Sequence, residues 1–455
     1  MSSIKIEGEK IILNPIPRAH GHMEVTAELT GGIISTARIS GLHYRGIAEK
    51  MKGRPLSTVP QIVSRCCGNC SISHLSAATK AQEHLCRFTA SLPRAALREL
   101  LVMISVIMGH LQHFYLDILP DYIAVENTEY CPDSRFDERI KRKLLEHREQ
   151  FIASISETWW NIGLITGKRT HGQGIYFGGG FTEITPNKIF AINKIINTLQ
   201  ETVKLMISDT YLLSERYDDY FLIGEGNTNF IDFGFPQDKQ ISNLYCTARG
   251  KSPIRSFDAI SSNITIDDTR SWLCISTSNT THLPTEEMHL DFTKPNAYSS
   301  LFSAGYNSMP YEMGALARQQ LIGTVQIGVS AMDRIIATAY EANLLCSKLN
   351  ELTQLITSGK MNTASLNRDI SGVGIGISPT CAGSVIHIVK AQKGLVRNYN
   401  IISPCHWNLA PKDKYNNPSP LETALVGIEA PDIQTAQIQI IRTVRSFAPC
   451  IYCGG

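Results

Sequence analysis

Arg65-Cys66-Cys67-Gly68-Asn69-Cys70 and Pro449-Cys450-Ile451-Tyr452-Cys453 stand near opposite ends of a 455-residue chain, and each carries a Cys-x-x-Cys pair. Two intervening residues let the backbone turn back, so that both thiolates of a pair reach one ion. If the pairs meet, four thiolates make a soft site suited to zinc, an iron-sulfur centre or a thiophilic ion such as nickel. On the pairs alone, a zinc clamp tying the C-terminal tail to the body is the simplest reading, and a redox dithiol is a weaker one. In every metal reading the fold must return Cys450 and Cys453 to Cys67 and Cys70 across nearly the whole chain.

Composition sets the background. With 43% apolar residues the chain can bury a large core, and a formal charge of +2 with both signs interspersed gives no reason to invoke nucleic acid or an anionic membrane. The opening Met1-Ser2-Ser3-Ile4-Lys5 has no signal-peptide pattern, which points to the cytoplasm. Twelve cysteines in such a chain read as thiols and metal ligands rather than a disulfide framework. The most apolar run, Leu100 to Met108, is too short to span a bilayer.

Outward from the first pair, Pro60 to Ser64 leads to the thiols and a helix follows over about 73–87, capped by Ser71 or Ser73, so that Cys67 and Cys70 sit where unsatisfied N–H groups favour thiolate. Before it, 23–40 alternates as a β-hairpin around Gly31-Gly32, and a short helical stretch follows Arg45-Gly46-Ile47. After it come long helical patterns at about 93–118, 133–166, 187–220 and 324–357, the first apolar on nearly every face and therefore central. Residues 225–300 and 368–410 read as irregular with short β runs, among them 244–247, 271–275 and 385–389. The Gly372-x-Gly374-x-Gly376 spacing does not fit a dinucleotide fingerprint. A last helix, about 431–446, runs into the second pair.

The fold class expected is therefore mainly α with α+β elements: a central bundle of long helices, an N-terminal β-hairpin and peripheral irregular β regions. The metal site lies between the two motifs. One domain, 1–455, is expected, with a β-rich 1–60, a bundle from 61–220 and 310–360, irregular parts at 225–300 and 368–410, and 431–455 as terminal helix and cysteine motif.

Nearly end to end, the chain resembles the large subunits of nickel-iron hydrogenases. Arg65 to His74 resembles the family's Arg-x-Cys-Gly-x-Cys-x-x-x-His, and Ala448 to Cys453 its terminal Asp-Pro-Cys-x-x-Cys. Arg18 to His22, Gly109 to Tyr115 with Pro120-Asp121, Gly167 to His171 with Gly178-Gly179-Gly180, and Gly314 to Arg318 also match motifs in order. So do Gly383 with His387, Trp407-Asn408 and Glu422 to Gly427.

The resemblance implies that Cys67, Cys70, Cys450 and Cys453 bind nickel, with Cys70 and Cys453 bridging to an iron that carries carbonyl and cyanide. It implies a hydrogenase acting on dihydrogen, Cys450 as base or first proton carrier, and iron-sulfur clusters confined to a small-subunit partner, with further electron-transfer subunits where present. Arg65, His22, His74, His171 and Arg318 take supporting positions around the ligands. Cys66, Cys86, Cys131, Cys246, Cys274, Cys346, Cys381 and Cys405 read as buried core thiols, Trp159, Trp160 and Trp407 as core, and His110 and His113 as packing and hydrogen-bonding residues.

The departures are specific. His20 stands where the family has a glutamate relay, Ala48 where it has a magnesium-binding glutamate, Ala448 where it has an aspartate and Ala382 where it has an arginine. Glu49, one position on, would swing about 100° away on a helix. The terminal histidine that also binds magnesium is absent from the sequence, so no magnesium is expected. His20 is expected to relay protons from Cys450, because a histidine titrates near neutrality. Two other readings remain at this point: a hydrogenase-like subunit that binds a metal or cluster without turnover, and the four-cysteine zinc protein.

Overall fold

A computed structural model describes residues 3–123, 133–171, 173–180, 184–234, 246–247, 263–275, 283, 287–323, 326–357, 365–366 and 369–454. Cys131, Leu244-Tyr245 and Val325 lie outside these, as does the Cys246 side chain.

The expected hairpin is the second half of a four-stranded antiparallel meander, Ser3–Glu7, Lys10–Asn14, Met23–Thr30 and Ile33–Gly41, in sequential order. Alternation puts Ile11, Leu13, Met23, Val25, Ile34 and Ile39 on one face, and these pack in one core with Ile440, Ile441 and Val444 of the terminal helix, Ile433–Ser446. The N-terminal sheet is thus what the C-terminal motif docks upon.

The bundle forms as its apolar periodicity requires. The helix Leu92–Gln112 is buried from Pro93 to Leu111, surrounded by apolar residues of Glu138–Thr166, Pro186–Arg216 and Ala331–Thr357. Its pattern continues to 118, but His113–Ile118 is a π-helical turn, which re-aims the last residues of the expected helix. Glu138–Thr166 starts later than 133 because Asp137 caps it, accepting from the Ile140 N–H at 2.9 Å. Ala331–Thr357 starts later than expected because the Asp333 carboxylate accepts from the Ser330 N–H at 2.9 Å. A further helix, Ala315–Ile322, carries Arg318.

The block after Gly372 is not irregular. It is a three-stranded antiparallel sheet, Gly372–Thr380, Gly383–Gln392 and Leu395–Ile402. Gly374 and Gly376 explain its odd sequence: a Cβ on them would fall 2.1 Å from the Ala81 carbonyl oxygen and 2.0 Å from that of Ala77. Both carbonyls belong to the helix Ser71–Leu85, which lies backbone against strand. The glycines seat the helix whose first turn follows the first cysteine pair.

Candidate metal centre

Cys70 itself occupies the N-cap of Ser71–Leu85, in place of the expected serine cap, and Cys67 lies in the loop before it. That loop is braced by the Arg45 guanidinium on the Cys66 carbonyl and by His171 Nδ1 on the Ser64 carbonyl at 3.0 Å.

The second pair arrives by pairing with the N-terminal segment. His20 N–H donates to the Pro449 carbonyl at 3.0 Å and Ile451 N–H to the His20 carbonyl at 2.8 Å, a parallel bridge between His20 and Cys450. Gly21 permits the approach, since its φ is +109° and a Cβ there would meet the Ile451 side chain at 2.4 Å. Asp121 ties the same strands of chain together, accepting from both Arg18 and Arg445. His406 Nε2 holds the Gly454 carbonyl at 3.0 Å.

The four sulfurs converge. Cys67 Sγ is 3.9 Å from Cys450 Sγ, and the sulfurs of Cys67, Cys70 and Cys453 lie within 4.8 Å of one another. A tetrahedral ion with metal–sulfur bonds of about 2.3 Å separates its sulfurs by about 3.8 Å, so the quartet has the size of a thiolate metal site. Hydrogen bonds from Cys450, Cys453 and Cys70 hold Cys67 as a thiolate, while Cys70 and Cys450 are pushed well above the usual thiol range by the protons they share with neighbouring sulfurs and by burial. Cys453 is also held protonated. Binding a metal must therefore expel protons.

Beside the quartet is a cavity of about 40 Å³ lined by His20, Asn69, His74, His113, Asp117, Cys381, Ala382, Cys405 and the four cysteines, among others. Organic-ligand pockets are roughly 300 Å³ or more. The space suits only small ligands. No arginine or lysine lines it among the described residues, in keeping with Ala382 at the family's arginine position.

Sequence reasoning missed Asp117. Its carboxylate, buried on the π-helical turn, stands 3.4 Å from His20 Nε2, and Asn69 Nδ2 is 3.0 Å from the same nitrogen. The hydrogen bond and charge of Asp117 raise the His20 pKa against the opposing effect of burial. An unbroken i, i+3, i+4 pattern through 118 gave no sign that the helix changes pitch there.

The remaining expected site residues divide. His74 is fully buried, lines the cavity and is kept neutral by burial, its pKa pulled down to about 4. Arg318 is buried and does not line the cavity; it pairs with Asp232 at 2.8 Å and Glu341 at 2.5 Å and holds the Thr380 carbonyl at 3.1 Å, steadying the turn that carries Cys381 and Ala382. His171 reaches the site through the Ser64 carbonyl. Two placements need correction. Arg65 is exposed, because the turn that aims Cys66 and Cys67 inward points its neighbour out. His22 is exposed and bonds Asn14 Oδ1 at 2.7 Å, two residues past the bridge that His20 makes.

Of the presumed core thiols, Cys66 and Cys346 are buried, Cys86 and Cys274 are half-buried, and Cys381 and Cys405 line the cavity. Trp407 is core, whereas Trp160 is 57% exposed beneath the Arg169 guanidinium. His110 and His113 pack as expected, on Glu341 at 2.7 Å and the Arg445 carbonyl at 2.6 Å.

A family model described as nickel-dependent hydrogenase matches residues 45–150 and 154–454. The chain belongs to the nickel-dependent hydrogenase family. Among relatives of this hydrogenase chain, the periplasmic [NiFeSe] hydrogenase large subunit of Desulfomicrobium baculatum is 24% identical, covering 98% of this chain and 94% of the relative. The hydrogenase-2 large chain of Escherichia coli K12 is 21% identical over 98% and 96%. The coenzyme F420 hydrogenase subunit alpha of Methanocaldococcus jannaschii is 24% identical over 93% and 92%. The solved structure of the H2-activated D. baculatum [NiFeSe] hydrogenase superposes with a TM-score of 0.90 at 25% identity, covering 98% of this chain and 99% of that one. No helix among the described residues is long and apolar enough to cross a membrane.

Proposed function

We propose that this chain is the catalytic large subunit of a nickel-iron hydrogenase, cleaving or forming dihydrogen and passing electrons to an iron-sulfur small subunit. The observation that carries the reading is the convergence of Cys67, Cys70, Cys450 and Cys453 at metal-site spacing beside a cavity sized for small ligands. In it, Cys67 and Cys450 would hold nickel, and Cys70 and Cys453 would be shared with an iron carrying carbonyl and cyanide. The bound centre supplies the Lewis acid and electron sink for heterolysis.

The chain's own residues handle the proton. Cys450 accepts it, and His20, with Asp117 behind it, passes it outward, since the His20 side chain is 28% exposed and the Asp117 side chain only 10%. No magnesium is expected at the second cavity, which Gly454 lines: of its carboxylates, Glu49 accepts from Tyr44 Oη at 2.6 Å and Glu287 pairs with Lys52 at 2.7 Å. Glu49 lines that cavity rather than swinging away from it, because Glu49–Met51 is only one 3-10 turn.

One observation favours a second reading, a cluster-binding subunit without turnover: the cavity wall carries thiols at Cys381 and Cys405 and a methyl at Ala382, with no arginine or lysine among the described residues. Elemental analysis with infrared spectroscopy and hydrogen uptake on the purified complex tests all three readings. Nickel with iron in excess of it, carbonyl and cyanide bands and turnover are expected; bands without turnover select the second reading, and zinc alone overturns both.

A further inference from the structure

Three buried groups form a chain that ends on the metal cavity. Tyr399 Oη lies 2.5 Å from His387 Nδ1, and His387 Nε2 lies 2.8 Å from His74 Nδ1. Tyr399 is 3% exposed and both histidines 0%. The far nitrogen, His74 Nε2, is buried, makes no hydrogen bond among the described residues, and belongs to a ring that lines the cavity of the four sulfurs.

Each neutral imidazole has a single N–H to place, and each nitrogen that accepts forces the proton onto the other. Burial keeps both rings neutral and Tyr399 a phenol. The phenol is a donor in search of an acceptor, and the partner the structure gives it is His387 Nδ1. The His387 proton is then on Nε2, where it faces His74 Nδ1. That nitrogen accepts in turn, so the His74 proton sits on Nε2. The reverse order would leave the phenol O–H without an acceptor at one end and turn a lone pair toward a thiolate-walled cavity at the other. Both ends select the same direction.

We propose that Tyr399 is a positioning residue of the metal centre: its hydroxyl, acting through His387, fixes the proton of His74 on Nε2, where it is held ready for a thiolate of the metal-loaded quartet. The donor end rests on the reading of the quartet as a metal site, whereas the direction of the chain does not. Such an N–H lowers the electron density of a thiolate and orients it toward the metal.

Long-range 1H–15N correlation on protein labelled at histidine reports which ring nitrogen carries hydrogen, with His74→Gln and His387→Gln variants assigning the signals. Both rings are expected as Nε2–H tautomers. Tyr399→Phe removes one oxygen and preserves the packing; it should give mixed tautomers at both rings. In protein loaded with cobalt(II) as a probe of the quartet, the same variant should move the thiolate-to-metal absorption to longer wavelength, because a sulfur without its donor is easier to oxidise. An Nδ1–H tautomer at His74 in the wild type overturns the proposal, as do identical ring patterns and cobalt spectra in wild type and Tyr399→Phe. Absence of any thiolate-to-cobalt absorption in the wild type overturns the donor end and the metal reading together, while the ring pattern still decides the direction of the chain.

Discussion

Replacing Arg318 with methionine removes the one cation between two buried carboxylates while keeping most of the side-chain volume. Arg318 and its partners Asp232 and Glu341 are at most 2% exposed in their side chains, so no water can replace the lost pairing. Burial alone pushes the Glu341 carboxyl up, but the charge and hydrogen bonds of Arg318, with His110, outweigh it and bring it from 4.5 to about 2. At about 1.4 kcal/mol per pH unit that difference corresponds to about 3 kcal/mol, in line with about 3–5 kcal/mol for breaking a buried pair. The sign follows from the depressed pKa. The contribution is fully present above the unfolded carboxylate's value near 4.5 and is lost as pH falls toward 2. Urea unfolding should therefore show Arg318→Met less stable by about 3–5 kcal/mol at pH 7, with the deficit shrinking steadily below about pH 4.5. Metal retention should fall as well, since Arg318 also holds the Thr380 carbonyl at the cavity wall. A deficit below about 1 kcal/mol, or one equal at pH 7 and pH 3, would refute the electrostatic account.

Other outcomes are expected from the same geometry. Cys450→Ala removes a ligand and the proton acceptor together and should lose most nickel and all turnover; unaltered metal content by elemental analysis would sink the assignment. His20→Ala should lower hydrogen uptake strongly while leaving the infrared bands in place, and Asp117→Asn, by withdrawing the charge that raises the His20 pKa, should move the acid limb of the pH–rate profile to lower pH. A limb that stays put in Asp117→Asn removes the pair from the mechanism. Gly376→Ala should destabilise by about 1–3 kcal/mol or more and loosen metal binding, because the clash is with the Ala77 backbone, read by thermal unfolding and nickel content. Stoichiometric magnesium by elemental analysis would contradict the paired state of Glu49 and Glu287.

The bundle and the quartet were legible in the sequence because each rests on a local signal. Apolar periodicity at about 93–118, 187–220 and 324–357 reflects burial that a helix repeats every turn, and Cys-x-x-Cys fixes two donors in one stretch. What was not legible depends on partners distant in sequence. Gly374 and Gly376 look like loop formers until Ala77 and Ala81 are seen lying on them. Arg65 and His22 sit inside matching motifs, yet face outward, since a motif conveys spacing and not the direction of each side chain. Cys381 and Cys405 look like any core thiol because the cavity they line is assembled from six separate parts of the chain.

Asp117 brings these threads to the chemistry. In the expected helix it would be one more polar residue at the end of an apolar stretch. The π-helical turn and the bridge between His20 and Cys450 carry it and His20 to the same side of the cavity. The sequence lacks a carboxylate at position 20, at 382 it lacks a cation and at 448 a second carboxylate, so the charges that the family's motifs place around the centre are gone together. What stands there instead is one carboxylate on the helix and one imidazole on the loop. A carboxylate alone would need a large upward pKa shift to take a proton from a thiol near neutral pH, and an imidazole beside an anion needs none. The cost lies on the other side: the same anion keeps the imidazole charged to higher pH, so His20 is free to accept a proton only under more alkaline conditions than an isolated histidine would be. A relay built this way predicts a hydrogenase whose uptake rises with pH through the His20 titration. Uptake that is flat across that range in the wild-type complex, with the metal centre intact, would place the proton's exit elsewhere in the cavity wall.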